Sequence, residues 1–260
     1  MRQVELLHGA ATDVGRVRQV NEDAYLVAAP VFVVADGMGG HADGSVASRI
    51  VVEEFGRLAT TGYDATRGPD TVAEVLRVCQ DRITSHPVDP SVPLGRTPGT
   101  TVVAALLVED AGAPAWLLVN LGDSRIYRVS RGRLQQVSSD HSVVQELIDA
   151  GQLRPEDAAQ HPDRHVITRA LGGPRLEEAD YFVLPLAGAD RLLLCSDGVS
   201  GLVDDEGIAQ VLGAHPDPQE AAGALVAAAL AAGGDDNATA VVVDVVGWEP
   251  EQRTSGDGGA

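Results

Sequence analysis

Four aspartates stand in one recurring setting: Asp36 closes VFVVAD, Asp123 closes WLLVNLGD, Asp197 closes LLLCSD, and Asp236 precedes the apolar run NATAVVVDV. Each lies where a buried strand would meet a loop. If those strands are neighbours, several carboxylates converge, and repulsion with loss of solvation opposes that convergence unless cations enter. Oxygen ligands without a Cys/His set at zinc spacing select hard ions, so Mg²⁺ or Mn²⁺ is preferred over Zn²⁺. Taken singly, each Asp-Gly is an ordinary turn pair, present at 36, 43, 197 and 257. Repetition of the strand-end setting, with Asn21-Glu22-Asp23 just before another strand, favours a site.

Two hard ions suit attack on phosphorus, because they activate water, neutralise phosphoryl oxygens and steady the leaving oxygen. A cationic partner for the phosphate is then needed. Arg18, three residues before Asn21, is the candidate, since a guanidinium fork matches two phosphate oxygens; alone, it reads equally as half of a surface ion pair.

The elements that must position these residues follow from patterning. Residues 4–12 and 24–35 are rich in Val, Leu and Ala and read as strands, the second ending at Asp36. Val46, Ile50, Val51, Phe55 and Leu58 recur at helical spacing after a cap at Asp43 or Ser45. Val72, Val75, Leu76, Val78, Cys79 and Ile83 predict a second helix starting near Pro69 or Asp70, and Pro87, Pro90, Pro93 and Pro98 then enforce a loop. Residues 100–108 and 115–123 read as one hairpin, and 125–129 with 133–137 as another, with Gly132 free to take a positive φ at the turn. The polar stretch 140–178, with a short helix near 143–150, predicts a surface lobe over the sheet ends. Strands at 180–184, 191–195 and 238–246 and helices at 204–213 and 217–232 complete the pattern. Consecutive strands separated by paired helices favour antiparallel sheets with helices outside. Residues 249–260, EPEQRTSGDGGA, have the composition of a disordered tail.

Composition sets outer limits. The 260 residues are compatible with one large domain. Nineteen basic residues, all Arg, against 38 acidic ones give a net charge of −19, which argues against duplex nucleic acid or an anionic membrane as partner. With 44% hydrophobic but only 3% aromatic residues, Val, Leu and Ala must fill the core. No apolar stretch approaches the roughly 20 residues of a membrane span, and MRQVELLHG lacks the apolar segment of a signal peptide, so a cytoplasmic location is expected. Cys79 and Cys195 lie in apolar patterns and read as reduced core thiols.

Eight blocks in order carry a resemblance: DVGRVRQVNEDAY (13–25), ADGMGGHADGSVAS (35–48), GTT (99–101), NLGDSRIY (120–127), DHS (140–142), ITRALGG (167–173), LLLCSDGVSGLV (192–203) and GGDDNATAVVV (233–243). The chain resembles the metal-dependent serine/threonine protein phosphatases of the PPM type, often called PP2C-like, in their compact bacterial form. The resemblance implies an α+β fold: a four-layer α-β-β-α sandwich of two central antiparallel sheets flanked by helices, with a phosphatase domain over 1–248. It implies two Mn²⁺ or Mg²⁺ ions and a possible third. Asp36 would bridge two ions, the Gly37 carbonyl would ligate the first, and Asp197 and Asp236 would hold the second. Glu22 and Asp23 would act through water, Arg18 would bind substrate phosphate, and Asp123 with Asp197 would form the third, weaker site. The stretch 140–178 corresponds to a flap governing substrate access. Partners would be phosphorylated proteins, among them a serine/threonine kinase, and a monomer is expected.

Three positions depart from the family pattern. Met38 stands where eukaryotic members carry a histidine proposed as general acid, so protonation of the leaving group is unassigned. Pro98 precedes GTT in place of an apolar residue such as Met, and Gly201 stands where some members carry an Asp near the third ion. His41 is expected to make a loop-structuring hydrogen bond. His141, His161 and His165 are expected in solvated or packing roles, since Pro162 interrupts the helix their spacing would need for a metal. A silent scaffold would lack a core ligand, whereas Asp36, Asp197, Asp236 and Arg18 are all present.

Overall fold

The computed structural model describes residues 4–39, 43–61, 63–86 and 98–246. The expected loop through Pro87, Pro90 and Pro93, the role of His41 and the tail 249–260 lie outside the described residues. Among the described residues twelve strands are formed: β1 (Glu5–Asp13), β2 (Ala24–Ala28), β3 (Val31–Ala35), β4 (Gly37–Met38), β5 (Gly99–Thr100), β6 (Val102–Asp110), β7 (Ala113–Leu121), β8 (Arg125–Ser130), β9 (Arg133–Gln136), β10 (Asp180–Pro185), β11 (Arg191–Cys195) and β12 (Ala238–Val246). The α-helices are α1 (Asp43–Thr60), α2 (Gly68–Thr84), α3 (Val143–Asp149), α4 (Asp197–Ser200), α5 (Asp205–Ala214) and α6 (Pro218–Ala231).

Two five-stranded antiparallel sheets form the centre, ordered β1-β12-β11-β8-β9 and β10-β7-β6-β3-β2. Alternation along each strand divides its side chains between two cores. Val31, Val33 and Ala35 join Val51, Phe55, Val72 and Leu76 under α1 and α2, while Phe32 and Val34 meet Leu192, Leu194, Val241 and Val243 between the sheets. On the far side, Leu193, Cys195 and Val242 pack against Ile208, Leu212, Ala222 and Leu225 of α5 and α6. The central strands are therefore apolar on both faces, which makes their sequences continuous rather than alternating. The edge strand β10 alternates exposed with less exposed residues along its length. This is the expected four-layer α-β-β-α sandwich.

Local signals set the helix ends. Asp204 accepts from Gly207 N–H at 2.9 Å to cap α5, Asp217 accepts from Glu220 N–H at 2.9 Å to cap α6, and Pro69 occupies the first turn of α2. The turn between β8 and β9 places Gly132 at φ +72°, as expected, and Arg131 at +51°. The run 24–35 is two strands rather than one, because the chain reverses at Ala29-Pro30 and pairs Ala28 with Val31. The four-residue α4 and the two-residue β4 and β5 carry too few residues for any periodicity to announce them. Among the described residues, no helix is long and apolar enough to cross a membrane.

Candidate active site

Register places the acidic residues at one end of the sandwich. Cys195 pairs with both Arg125 and Ala240, and Ala238 with Asp13, so Asp123, Asp197 and Asp236 leave their strands on the same side. In the opposing sheet Val34 pairs with Val103 and Val102 with Leu121, which brings Asp36 to that end too. Asp123 lies in the link from β7 to β8, where the chain passes from one sheet to the other, rather than at the tip of a hairpin.

Hydroxyl and amide groups hold these carboxylates in place. The Asp36 N–H donates to Thr101 Oγ1 at 3.0 Å, and Asp36 O accepts from Thr101 N–H and Thr100 Oγ1, both at 2.9 Å. Thr101 Oγ1 lies 2.7 Å from Ser124 Oγ, which links the Asp36 strand end to the residue after Asp123. Ser196 and Thr239 donate to Asp23 Oδ2 at 2.8 and 2.7 Å. Gly37 must be glycine: an added Cβ would lie 2.3 Å from Gly44 O and 2.6 Å from Glu22 O. That close approach seats the start of α1 against the loop carrying Glu22.

The loop bearing Arg18 is braced by Asn237, a residue that sequence reasoning passed over. Its side chain donates to Val14 O at 2.9 Å and Val20 O at 3.0 Å, and accepts from Glu22 N–H at 2.8 Å. Gly15, at φ +79°, has no room for a Cβ, which would fall 2.2 Å from Asp236 O. Arg18 Nη2 donates to Asp236 Oδ2 at 2.7 Å.

The electrostatics are those of anions crowded together. Burial, reinforced by Asp23, Asp197 and Asp123, pushes Asp36 well above the usual carboxylate range. Asp197 is raised by burial and by Asp236, and its carboxyl shares a hydrogen bond with that of Asp36. Burial raises Asp23 to about 7 against its Thr239 and Ser196 hydrogen bonds, and raises Asp123 to about 8 with help from Asp197 and Asp140. Asp23 Oδ1 and Asp123 Oδ1 are buried without a hydrogen-bond partner among the described residues. Buried carboxylate oxygens left unsatisfied in this way fit added positive charge. Among the described residues no three His, Cys, Asp or Glu side chains stand in an arrangement that holds a metal as they are. Asp36 is turned to Asp197, Asp236 to Arg18, and Asp23 to its hydroxyl donors.

The departures from the family pattern have local accounts. Met38 is half-buried against the Gly99 backbone, where an added Cβ would meet its Cγ at 3.2 Å. Gly201 ends α4 and donates to Asp197 O at 2.6 Å; a Cβ there would approach the same oxygen to 2.8 Å, so a larger residue would press on Asp197. Pro98 is buried, and its carbonyl approaches Gly172 so closely that a Cβ there would lie 2.0 Å away.

The stretch 140–178 is more firmly attached than its polar composition suggests. Thr100 and Leu171 exchange backbone hydrogen bonds at 3.1 and 3.0 Å, Gln80 bonds Gly172 and Gly173, and Leu171 is buried in the core beneath α1 and α2. His165 is exposed and His161 only partly buried. His141 is buried, with both ring nitrogens in contact with polar groups.

Comparison with known proteins agrees with this architecture. A family model described as Protein phosphatase 2C matches residues 15–232. The serine/threonine protein phosphatase PstP of Mycobacterium tuberculosis is 39% identical over 248 residues, covering 94% of this chain and 46% of that protein, so the chain spans about half the length of that relative. The serine/threonine phosphatase stp of Listeria monocytogenes is 35% identical over 244 residues, covering 90% of this chain and 93% of that one. Among solved structures, the PstP catalytic domain in complex with two manganese ions superposes with a TM-score of 0.80 at 36% identity, covering 94% of this chain and 100% of that one. Stp1 of Staphylococcus aureus gives 0.84 at 30% identity, covering 94% and 96%. With these matches running through the strands and loops that gather the aspartates, the chain belongs to the protein phosphatase 2C family.

Proposed function

We propose that this chain is a serine/threonine protein phosphatase that hydrolyses phosphoserine and phosphothreonine on proteins, opposing bacterial serine/threonine kinases. The observation that carries the reading is the convergence of Asp23, Asp36, Asp123 and Asp197, each with its carboxyl raised by burial and by its acidic neighbours. A fold that gathers anions in this way gains from cations placed among them. Asp36, the Gly37 carbonyl, Asp197 and Asp236 would hold two Mn²⁺ or Mg²⁺ ions, with Glu22 and Asp23 acting through water and Asp123 with Asp197 serving a third. Such ions, when bound, lower the pKa of water and neutralise phosphoryl oxygens.

The chain's own groups do the rest. Arg18 offers a planar fork to two phosphate oxygens, and the loop that carries it is fixed by Asn237. Thr101, Ser196 and Thr239 orient Asp36 and Asp23 by hydrogen bonds. Water supplies the oxygen that bonds to phosphorus as the ester P–O bond breaks, with no phosphoenzyme. A cysteine nucleophile has no support here: Cys79 and Cys195 are buried, and burial pushes both thiols up to about 12. The net charge of −19 would repel a phosphorylated protein, and ions held there would, with Arg18, make the mouth of the site locally positive. Residues 1–248 would form the phosphatase domain and 140–178 its flap.

Phosphate release from a phosphothreonine peptide in Mn²⁺, in Mg²⁺ and in excess EDTA tests the reading, with Asp36→Asn as blank. Release that requires the ion and vanishes in the variant is expected. Ion binding with no release would move the chain to the class of silent scaffolds.

A further inference from the structure

The link between β7 and β8 is stitched to residues 138–142 by a row of cross-connections. Asn120 Nδ2 donates to Ser139 O at 2.8 Å, Ile126 N–H donates to Ser138 Oγ at 2.9 Å, and the Arg125 guanidinium forks onto Asp140 at 2.7–3.0 Å. In the middle of that row Gly122 and His141 exchange two bonds. The His141 N–H donates to Gly122 O at 2.9 Å, and the Gly122 N–H donates to His141 Nδ1 at 3.1 Å. With Nδ1 accepting, the ring proton resides on Nε2 and points to Asp180 Oδ2 at 3.2 Å. Arg169 Nη1 lies 3.3 Å from the same Nε2 and 3.4 Å from Asp180 Oδ1, completing a polar knot at the start of β10.

His141 is only 5% exposed. Its Nδ1 accepts from the amide of the residue immediately before Asp123, and the His141 main-chain N–H donates to that residue's carbonyl. Gly122 takes φ +123°, and an added Cβ would lie 2.6 Å from Thr101 Cβ, so the chain enters Asp123 through a turn that only glycine fits. Asp123 Oδ1 has no hydrogen-bond partner among the described residues. The carboxylate is therefore aimed by its backbone more than by neighbours of its own.

We propose that His141 is a positioning residue for Asp123: by accepting the Gly122 N–H at Nδ1, it fixes the turn that presents the Asp123 carboxylate to a cation. The inference rests on the reading that Asp123 holds a cation. Groups that orient a ligand from behind commonly cost on the order of 10–100-fold in ion affinity when lost. Two substitutions separate the ring's two contacts. His141→Asn keeps an acceptor near Nδ1 and loses the reach to Asp180, whereas His141→Gln keeps a donor near Nε2 and loses the acceptor.

The experiment is a calorimetric Mn²⁺ titration of the wild type, Asp123→Asn, His141→Asn and His141→Gln, each checked for cooperative melting in EDTA. Asp123→Asn is expected to remove the weakest binding phase. His141→Gln is expected to weaken that phase by roughly tenfold or more, with the tighter phases unmoved and His141→Asn close to wild type. An Asp123→Asn titration identical to wild type would overturn the cation reading and this proposal with it. A lost phase in Asp123→Asn, with the two His141 variants equally weakened or equally unaffected, would overturn the proposal alone. If His141→Gln does not fold, hydrogen exchange at the wild-type Gly122 amide decides: slowing as Mg²⁺ fills the Asp123-dependent phase supports the role, and an unchanged rate overturns it.

Discussion

Arg18 Nη2 donates to Asp236 Oδ2 at 2.7 Å, joining the proposed phosphate-binding cation to a proposed metal ligand. The pair is 51% and 39% exposed, so water screens it and it is worth about 1 kcal/mol or less. It is easily surrendered. A cation at Asp236 would draw the carboxylate away and leave the guanidinium to a phosphate. Arg18→Ala is thus expected to tighten Mn²⁺ binding by no more than about fivefold while raising KM for a phosphothreonine peptide at least about tenfold, with a smaller change in kcat. Calorimetry and steady-state kinetics on the same preparation check both signs, and an unchanged KM would remove Arg18 from the phosphate site.

The crowded carboxylates make the metal-free protein sensitive to pH. Asp23 is raised to about 7 and Asp123 to about 8, with Asp36 and Asp197 raised as well. Unfolded carboxyls titrate near about 4, so between there and about 8 the folded state holds more protons than the unfolded one. Stability is full below about pH 4 as far as these groups are concerned, and it is lost as pH rises through their folded-state values. The Tm in EDTA is expected to fall from pH 6 to pH 8, and Mn²⁺ is expected to raise Tm more at pH 8 than at pH 6. A Tm in EDTA that climbs across this window would contradict the assignment.

Much of this was legible in the sequence because buried strands announce themselves. Runs such as VFVVA and WLLVNL must bury two faces, and the Asp36-Gly37 and Gly122-Asp123 pairs at their ends mark where the core stops. Which ends meet is a matter of pairing between distant segments, and strand-end repetition suggested it without fixing it. The supporting groups left no signal of their own. Thr101, Ser196, Thr239 and Asn237 are ordinary polar residues until the fold brings them beside Asp36, Asp23 and the Arg18 loop. His141 is a related case: in a polar stretch it reads equally as solvated or packing, and only the paired bonds to Gly122 place it inside.

Asn237 offers a test of how far loop geometry controls substrate binding. Its amide satisfies Val14 O, Val20 O and Glu22 N–H, three backbone groups on the loop that presents Arg18. Asn237→Ala leaves all three without that partner and is expected to cost about 2–4 kcal/mol in urea unfolding. Asn237→Asp keeps the acceptor for Glu22 but supplies no amide donor to the two carbonyls, and it adds charge beside Asp236. Both variants are expected to raise KM more than they lower kcat. A loss confined to kcat would place the loop in the chemical step instead.

Asp36→Asn separates the reaction from the fold most sharply. Asp36 sits among Asp23, Asp123 and Asp197, and its ionised form repels all three. An amide of nearly the same shape removes that repulsion and retains the main-chain bonds to Thr100 and Thr101. The metal-free variant is expected to melt at or above the wild-type temperature at pH 8, where the unfavourable charge is greatest. If Asp36 serves the ions as proposed, its loss would remove several kcal/mol of transition-state stabilisation, roughly a thousandfold or more in kcat/KM. A variant that gains stability while losing activity would show that this carboxylate is kept for chemistry at the expense of the fold; a folded variant with wild-type turnover would remove Asp36 from the reaction.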